Sequence, residues 1–182
     1  MTLWRSASRL VAAFAALLLS GCWSGPAWFT ASDGVAAIPD GRYRLVEPGG
    51  PPDSGDMLTL TRQADNSVRI TGPDVPWRAI FVPIDAAQPD RFLVQLQEAS
   101  AGPAANAGFI LLDTRSGTWR VSSPRCAGDA KDAAERSGGH VTRDPQTGAS
   151  CFFADRATLL EQVRGAVKEE GGFDLELVRA DR

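Results

Sequence analysis

Histidine occurs once in the 182 residues, at position 140. A Ser-His-Asp arrangement or a histidine-based metal site therefore has almost no raw material. Gly-x-Ser-x-Gly is absent, and no glycine-rich stretch joins a strand to a helix, so nucleophile-elbow and phosphate-cradling chemistry are unsupported. Basic residues are not in excess: 19 Lys and Arg stand against 22 Asp and Glu. Without a basic run the chain is a poor partner for nucleic acid and a poor electrostatic binder of anionic lipid. Long apolar runs are missing too. Leu10–Leu19 (LVAAFAALLL) is unbroken, but it falls short of the roughly 20 residues of a spanning helix. No repeat of 20–50 residues is visible, and no cofactor is implied.

What stands at the N-terminus reads as a targeting segment. Arg5 and Arg9 precede the apolar run, no acidic residue occurs before Asp33, and small residues follow the run. This is the order of a signal peptide, removed in the mature chain. Leu19-Ser20-Gly21-Cys22 then resembles the lipobox of bacterial lipoproteins, an aliphatic residue and two small ones before an obligatory cysteine. The resemblance covers about the first 22 residues. It implies that residues 1–21 are cut away and that Cys22 carries diacylglycerol, usually with an N-acyl chain. Each acyl chain contributes about 0.8 kcal/mol per buried CH₂, so two or three hold a protein on a membrane essentially permanently. Position 23 is Trp, not the Asp associated with inner-membrane retention in enteric bacteria, which leans towards the outer membrane. The expected location is the cell envelope, facing the periplasm.

Removing residues 1–21 leaves 161 residues with 17 basic and 22 acidic side chains, a net charge of −5. That length supports one domain with a real core. With Cys22 assigned to lipid, Cys126 and Cys151 remain. In an oxidising compartment they are expected to form a disulfide closing a 25-residue loop. A metal site from Cys126, His140 and Cys151 would need reduced thiols, so His140 reads as a surface residue and no metal is expected.

Residues 22–40 mix Gly, Pro, Ser and Ala without a period and read as a lipidated, flexible tether. Trp23, Trp28 and Phe29 could rest at the lipid interface or fold back; the residues do not decide. A single periplasmic domain is expected over 41–182. Tyr43 and Leu45 alternate with arginines, Leu58 and Leu60 with threonines, and Val68 and Ile70 flank Arg69, the mark of half-buried strands. Gln63–Ser67 supplies turn chemistry, so 57–62 and 67–71 form a hairpin. Residues 77–82 are apolar on both parities and read as a central strand ended by Pro83. Further strands are expected around 92–97, 109–112, 118–121 and 173–177. Residues 123–150 break the pattern and read as a loop holding a short helix at 129–136, stopped by Gly138-Gly139. A longer helix starts at Asp155, carries Leu159, Val163 and Val167 on one face, and ends before Gly171. The fold class is α+β, mostly β: an antiparallel meander sheet, open or curled to a barrel, with one C-terminal helix packed on it and a disulfide-closed loop.

Ile110–Arg115 superficially resembles the aspartic-protease motif, but Arg115 occupies the glycine place and a hairpin turn explains the segment better. Glu169, Glu170, Asp174 and Glu176 fall on expected wet faces. Arg42, Arg44, Arg69 and Arg120 share the exposed parity of their strands. Two functions remain. The first is a non-catalytic binding, scaffold or inhibitor protein of the envelope, acting on a protein partner through an exposed apolar patch. The second is an envelope enzyme acting on cell-wall polymers through two carboxylates about 5–10 Å apart, one with a raised pKa. The lack of a catalytic set favours the first, and no catalytic residue is assigned.

Overall fold

The structure, a computed structural model, describes residues 23–180 apart from 74–75, 103, 118, 146–147 and 169–173. The signal segment and Cys22 lie outside the described residues. Among the described residues there are eleven strands: β1 (Trp23–Pro26), β2 (Gly41–Val46), β3 (Asp56–Arg62), β4 (Val68–Thr71), β5 (Trp77–Asp85), β6 (Gln88–Glu98), β7 (Asn106–Asp113), β8 (Trp119–Ser122), β9 (His140–Asp144), β10 (Gly148–Phe152) and β11 (Leu175–Arg179). The helices are α1 (Asp129–Arg136) and α2 (Arg156–Lys168).

Eight antiparallel strands close into a barrel in the order β2-β3-β4-β5-β6-β7-β8-β11, because β11 pairs with both β8 and β2. β7 is the branching point. Along one edge, Trp23–Pro26 of β1 pairs with its first half and β8 pairs with Leu111–Asp113. β1 also runs parallel to β10, which pairs with β9. A three-stranded flange thus leaves the barrel wall at β7.

Strands β5 to β7 are apolar on both parities because both their faces are covered. Ala79, Phe81, Val94, Leu96 and Leu112 fill the barrel with Tyr43, Leu58 and Leu60. Ile80, Val82, Leu93, Phe109 and Leu111 point outward into a second core. That core is closed by Leu159, Val163 and Val167 of α2, three alanines of α1, Trp23 and Phe153. The apolar stripe of α2 therefore packs on the sheet, as its period implies. Asp155 caps the helix, its Oδ2 accepting from Thr158 N–H and Oγ1 at 2.7 Å each. Cys126 and Cys151 are joined by a disulfide, Cα atoms 5.3 Å apart, inside this core.

Three expectations change. Residues 23–40 are not a free tether: Trp23, Phe29 and Ile38 are buried. After β1 the chain straps across the outer face of β6. Gln95 Oε1 accepts from Phe29 N–H at 3.0 Å, and Gln95 Nε2 donates to Phe29 O at 2.9 Å. One side-chain amide replaces a strand's backbone there. Second, Pro83 does not end β5, which runs on to Asp85. Pro83 shares the parity of Phe81, whose carbonyl accepts Val35 N–H at 2.9 Å, so its missing N–H lies on the edge away from β6. Third, 137–150 is not a plain loop but carries the β9–β10 hairpin. Gly138 (φ 80°) stops α1, and a Cβ on Gly139 would lie 1.8 Å from Phe152 O, so both glycines are required.

Candidate functional site

The barrel is filled at one end and hollow at the other. Tyr43 and Trp119 meet edge-on with centroids 5.2 Å apart, and the Tyr43 hydroxyl donates to Pro39 O at 2.7 Å. With Phe92 they fill the end where β2, β6 and β8 begin. Towards the end where those strands finish lies a cavity of about 70 Å³. Its wall includes Leu45, Leu58, Ile70, Ile110, Leu175 and the indole of Trp77. Alternation produces this lining directly, since every second residue of each strand points inward. None of the lining residues is ionisable, so the lumen can hold an apolar group but has no acid or base to offer.

Ser123 and Trp77 carry the polar side-chain groups of this lining, and the Trp77 ring, which also borders an outer groove with Asp65 and Arg78, bears Nε1. Among the described residues it is the one buried side-chain nitrogen or oxygen without a hydrogen-bond partner. An indole N–H left so costs about 1–3 kcal/mol, and an acceptor brought in by a ligand recovers it.

Among the described residues Val35, at 39 %, is the only exposed large hydrophobic, so a cluster of exposed large apolar side chains is not seen among them. The sequence-flagged residues are otherwise accounted for. Cys126 and Cys151 are bonded to each other, which removes them as metal ligands. His140 stacks on Phe152 at 4.9 Å.

Asp113, the carboxylate of the protease-like segment, is buried and serves the barrel's filled end. Arg115 reaches it with Nε at 2.8 Å and Nη2 at 2.6 Å, and Arg91 Nε lies 3.3 Å away. Arg91 also hydrogen-bonds Val167 O, tying the end of α2 to the barrel. Burial pushes the Asp113 carboxyl up, but hydrogen bonds from Arg115 and the attraction of both guanidinium groups outweigh it and hold it below the ordinary value. The other described carboxyls with a shift move the same way. A hydrogen bond from Thr30 N–H lowers Asp33, Ser67 lowers Asp65 to about 2, and Thr158 N–H lowers Asp155. A general acid needs the opposite direction.

A depressed folded pKa stabilises the protein fully above the unfolded value and is lost as pH falls through the folded one. Stability from Asp113 is thus complete above about pH 4 and declines below it. Asp113→Asn is expected to lower stability at neutral pH and to flatten the acid limb, read as denaturant midpoints between about pH 6 and 2. An unchanged acid limb would show that Asp113 is not a major source of it.

Neither Trp77 nor Gln95 stands out in the sequence. Trp77 opens a strand and Gln95 sits at a nominally wet parity; their roles appear only once the barrel closes and the strap crosses β6. Comparison with protein-family models, with curated proteins and with solved structures finds no match to this chain.

Proposed function

We propose that this chain is a lipid-anchored protein of the bacterial cell envelope that binds, without catalysis, an apolar ligand in its barrel lumen. The anchor rests on the signal-peptide pattern and on Leu19-Ser20-Gly21-Cys22, with the outer membrane as the destination and the periplasm as the side faced. Binding rests on one observation, a largely apolar cavity whose lining includes Trp77, the residue whose indole N–H is buried without a hydrogen-bond partner. The ligand it fits has a hydrocarbon end and one hydrogen-bond acceptor. The cavity is about half the size of an apolar cavity that takes benzene, so it admits the end of an alkyl chain rather than a bulky ring system.

Matched probes test this. Titrated into the folded chain, 2-octanone is expected to shift the Trp77 indole N–H resonance and to raise the melting temperature. Octane, which lacks the acceptor, is expected to leave the indole resonance unmoved. Ile110→Trp, which fills the cavity from a half-buried position, is expected to abolish both responses. Equal effects of the two probes, or an unaffected Ile110→Trp variant, would place binding elsewhere or nowhere.

A further inference from the structure

Trp77 borders two spaces at once. One is the lumen; the other is a groove of about 380 Å³ between the β3–β4 turn and the outer faces of β4 and β5. The lining of the groove carries three charges, Asp65, Arg69 and Arg78. Arg69 and Arg78 are directly paired across β4 and β5, an arrangement of like charges that destabilises a sheet. Asp65 relieves half of it. Its Oδ2 accepts from Arg78 Nη2 at 2.9 Å, while Ser67 N–H and Oγ donate to its Oδ1 at 2.9 and 2.6 Å. Among the described residues no carboxylate pairs with Arg69, which is exposed.

The other acidic groups stand away from this groove. Glu47, Asp53, Asp174 and Glu176 are not part of its lining. Glu98 is paired with Trp77 across β5 and β6, which puts it on the lumen side of the wall and two strands from Arg69. Asp74 lies outside the described residues.

Groove and lumen meet at the rim of the barrel. Arg69 precedes Ile70 and Arg78 follows Trp77, and both Ile70 and Trp77 line the lumen. Successive side chains of a strand take opposite faces, so one strand position separates the apolar wall from the charged one. β4 ends at Thr71 and β5 begins at Trp77, and the edge of the wall is therefore one residue beyond Ile70.

We propose that the ligand is a straight-chain fatty acid, with its tail in the lumen and its carboxylate in the groove against Arg69, crossing the rim beside the Trp77 ring. One unshared guanidinium matches one carboxylate, in the two-pronged geometry that arginine favours. The lumen has no ionisable group and takes only the tail. The head stays on the wet side, because an unpaired carboxylate is costly to bury. The proposal deepens the lumen reading and rests on it, but the two fail separately.

The chain starting at residue 22 with Cys22→Ser carries no lipid and contains every described residue. It is titrated at pH 7 with octanoate and with 2-octanone, a neutral probe of the same carbon count. Octanoate is expected to bind about five-fold tighter, the worth of one well-formed charge pair at an exposed site, and raised salt is expected to shrink that margin. Arg69→Gln should bring the ratio of the two affinities from about five to about one. Ile110→Trp should abolish binding of both probes, and Arg164→Gln, exposed on α2, should leave the ratio at the parent value. Octanoate that binds no tighter than 2-octanone, or an Arg69→Gln variant that keeps the margin, would overturn the proposal while 2-octanone binding leaves the lumen reading standing. Binding of neither probe would overturn both.

Discussion

Trp23→Ala is expected to cost about 3–5 kcal/mol of stability, the range for truncating a large buried aromatic. Were residues 22–40 a tether, the same change would stay within about 0.5 kcal/mol. Three contacts account for the difference. The indole meets the Phe153 ring edge-on, centroids 5.3 Å apart. Its Nε1 donates to Arg125 O at 3.2 Å. Its backbone joins two strands that are not paired with each other, pairing with Phe109 of β7 and with Cys151 of β10. Removing the ring opens a void at the base of the flange and leaves the Arg125 carbonyl without that donor. Urea unfolding of the chain from residue 22 measures the cost, with Val35→Ala, the exposed position on the same strap, as the near-neutral comparison. A Trp23→Ala midpoint that matches Val35→Ala would return the segment to the status of a tether.

The second large effect concerns the disulfide. Replacing Cys126 and Cys151 by serine together is expected to cost about 3–4 kcal/mol, because the bridge closes a 25-residue loop that the unfolded chain must otherwise explore. The loop holds α1 and the whole β9 strand, and its far end, β10, is among the described residues the only strand besides β7 that pairs with β1. The loss should therefore be local before it is global. Hydrogen exchange is expected to speed up in β9, β10 and α1 while β5, β6 and β7 keep their protection. Because Trp23 and Cys151 are directly paired, the two perturbations share neighbours and should not add. If reduction of the parent protein left both the melting temperature and the exchange of β9 and β10 unchanged, the bridge would have no structural role.

The elements legible in the sequence are those with one dry face and one wet one. Tyr43 and Leu45 against Arg42 and Arg44, or Leu58 and Leu60 against Thr59 and Thr61, alternate because only the barrel interior excludes water there. The α2 helix was equally readable, since its stripe of Leu159, Val163 and Val167 has a single sheet to cover. The β9–β10 hairpin hid because it has too little burial to pattern: of His140–Asp144 only Val141 is even partly covered. The strap hid for another reason. It is fastened by isolated residues, Phe29 into the outer core and through its backbone to Gln95, with no period to detect. Closure of the sheet was open on the sequence because it depends on the β11 pairings with β2 and β8, which are non-local. The lumen followed it into obscurity: its wall residues read as ordinary core until the barrel is seen to be filled at only one end.

The most direct test of the anchored-barrel account is the intact mass of the protein purified from membranes, taken without reductant and again after reduction and alkylation. The account predicts a chain starting at Cys22 with the added mass of acyl chains, and two alkylated thiols that appear only after reduction. A chain of unprocessed or unlipidated mass, or one whose Cys126 and Cys151 alkylate without reductant, would contradict it.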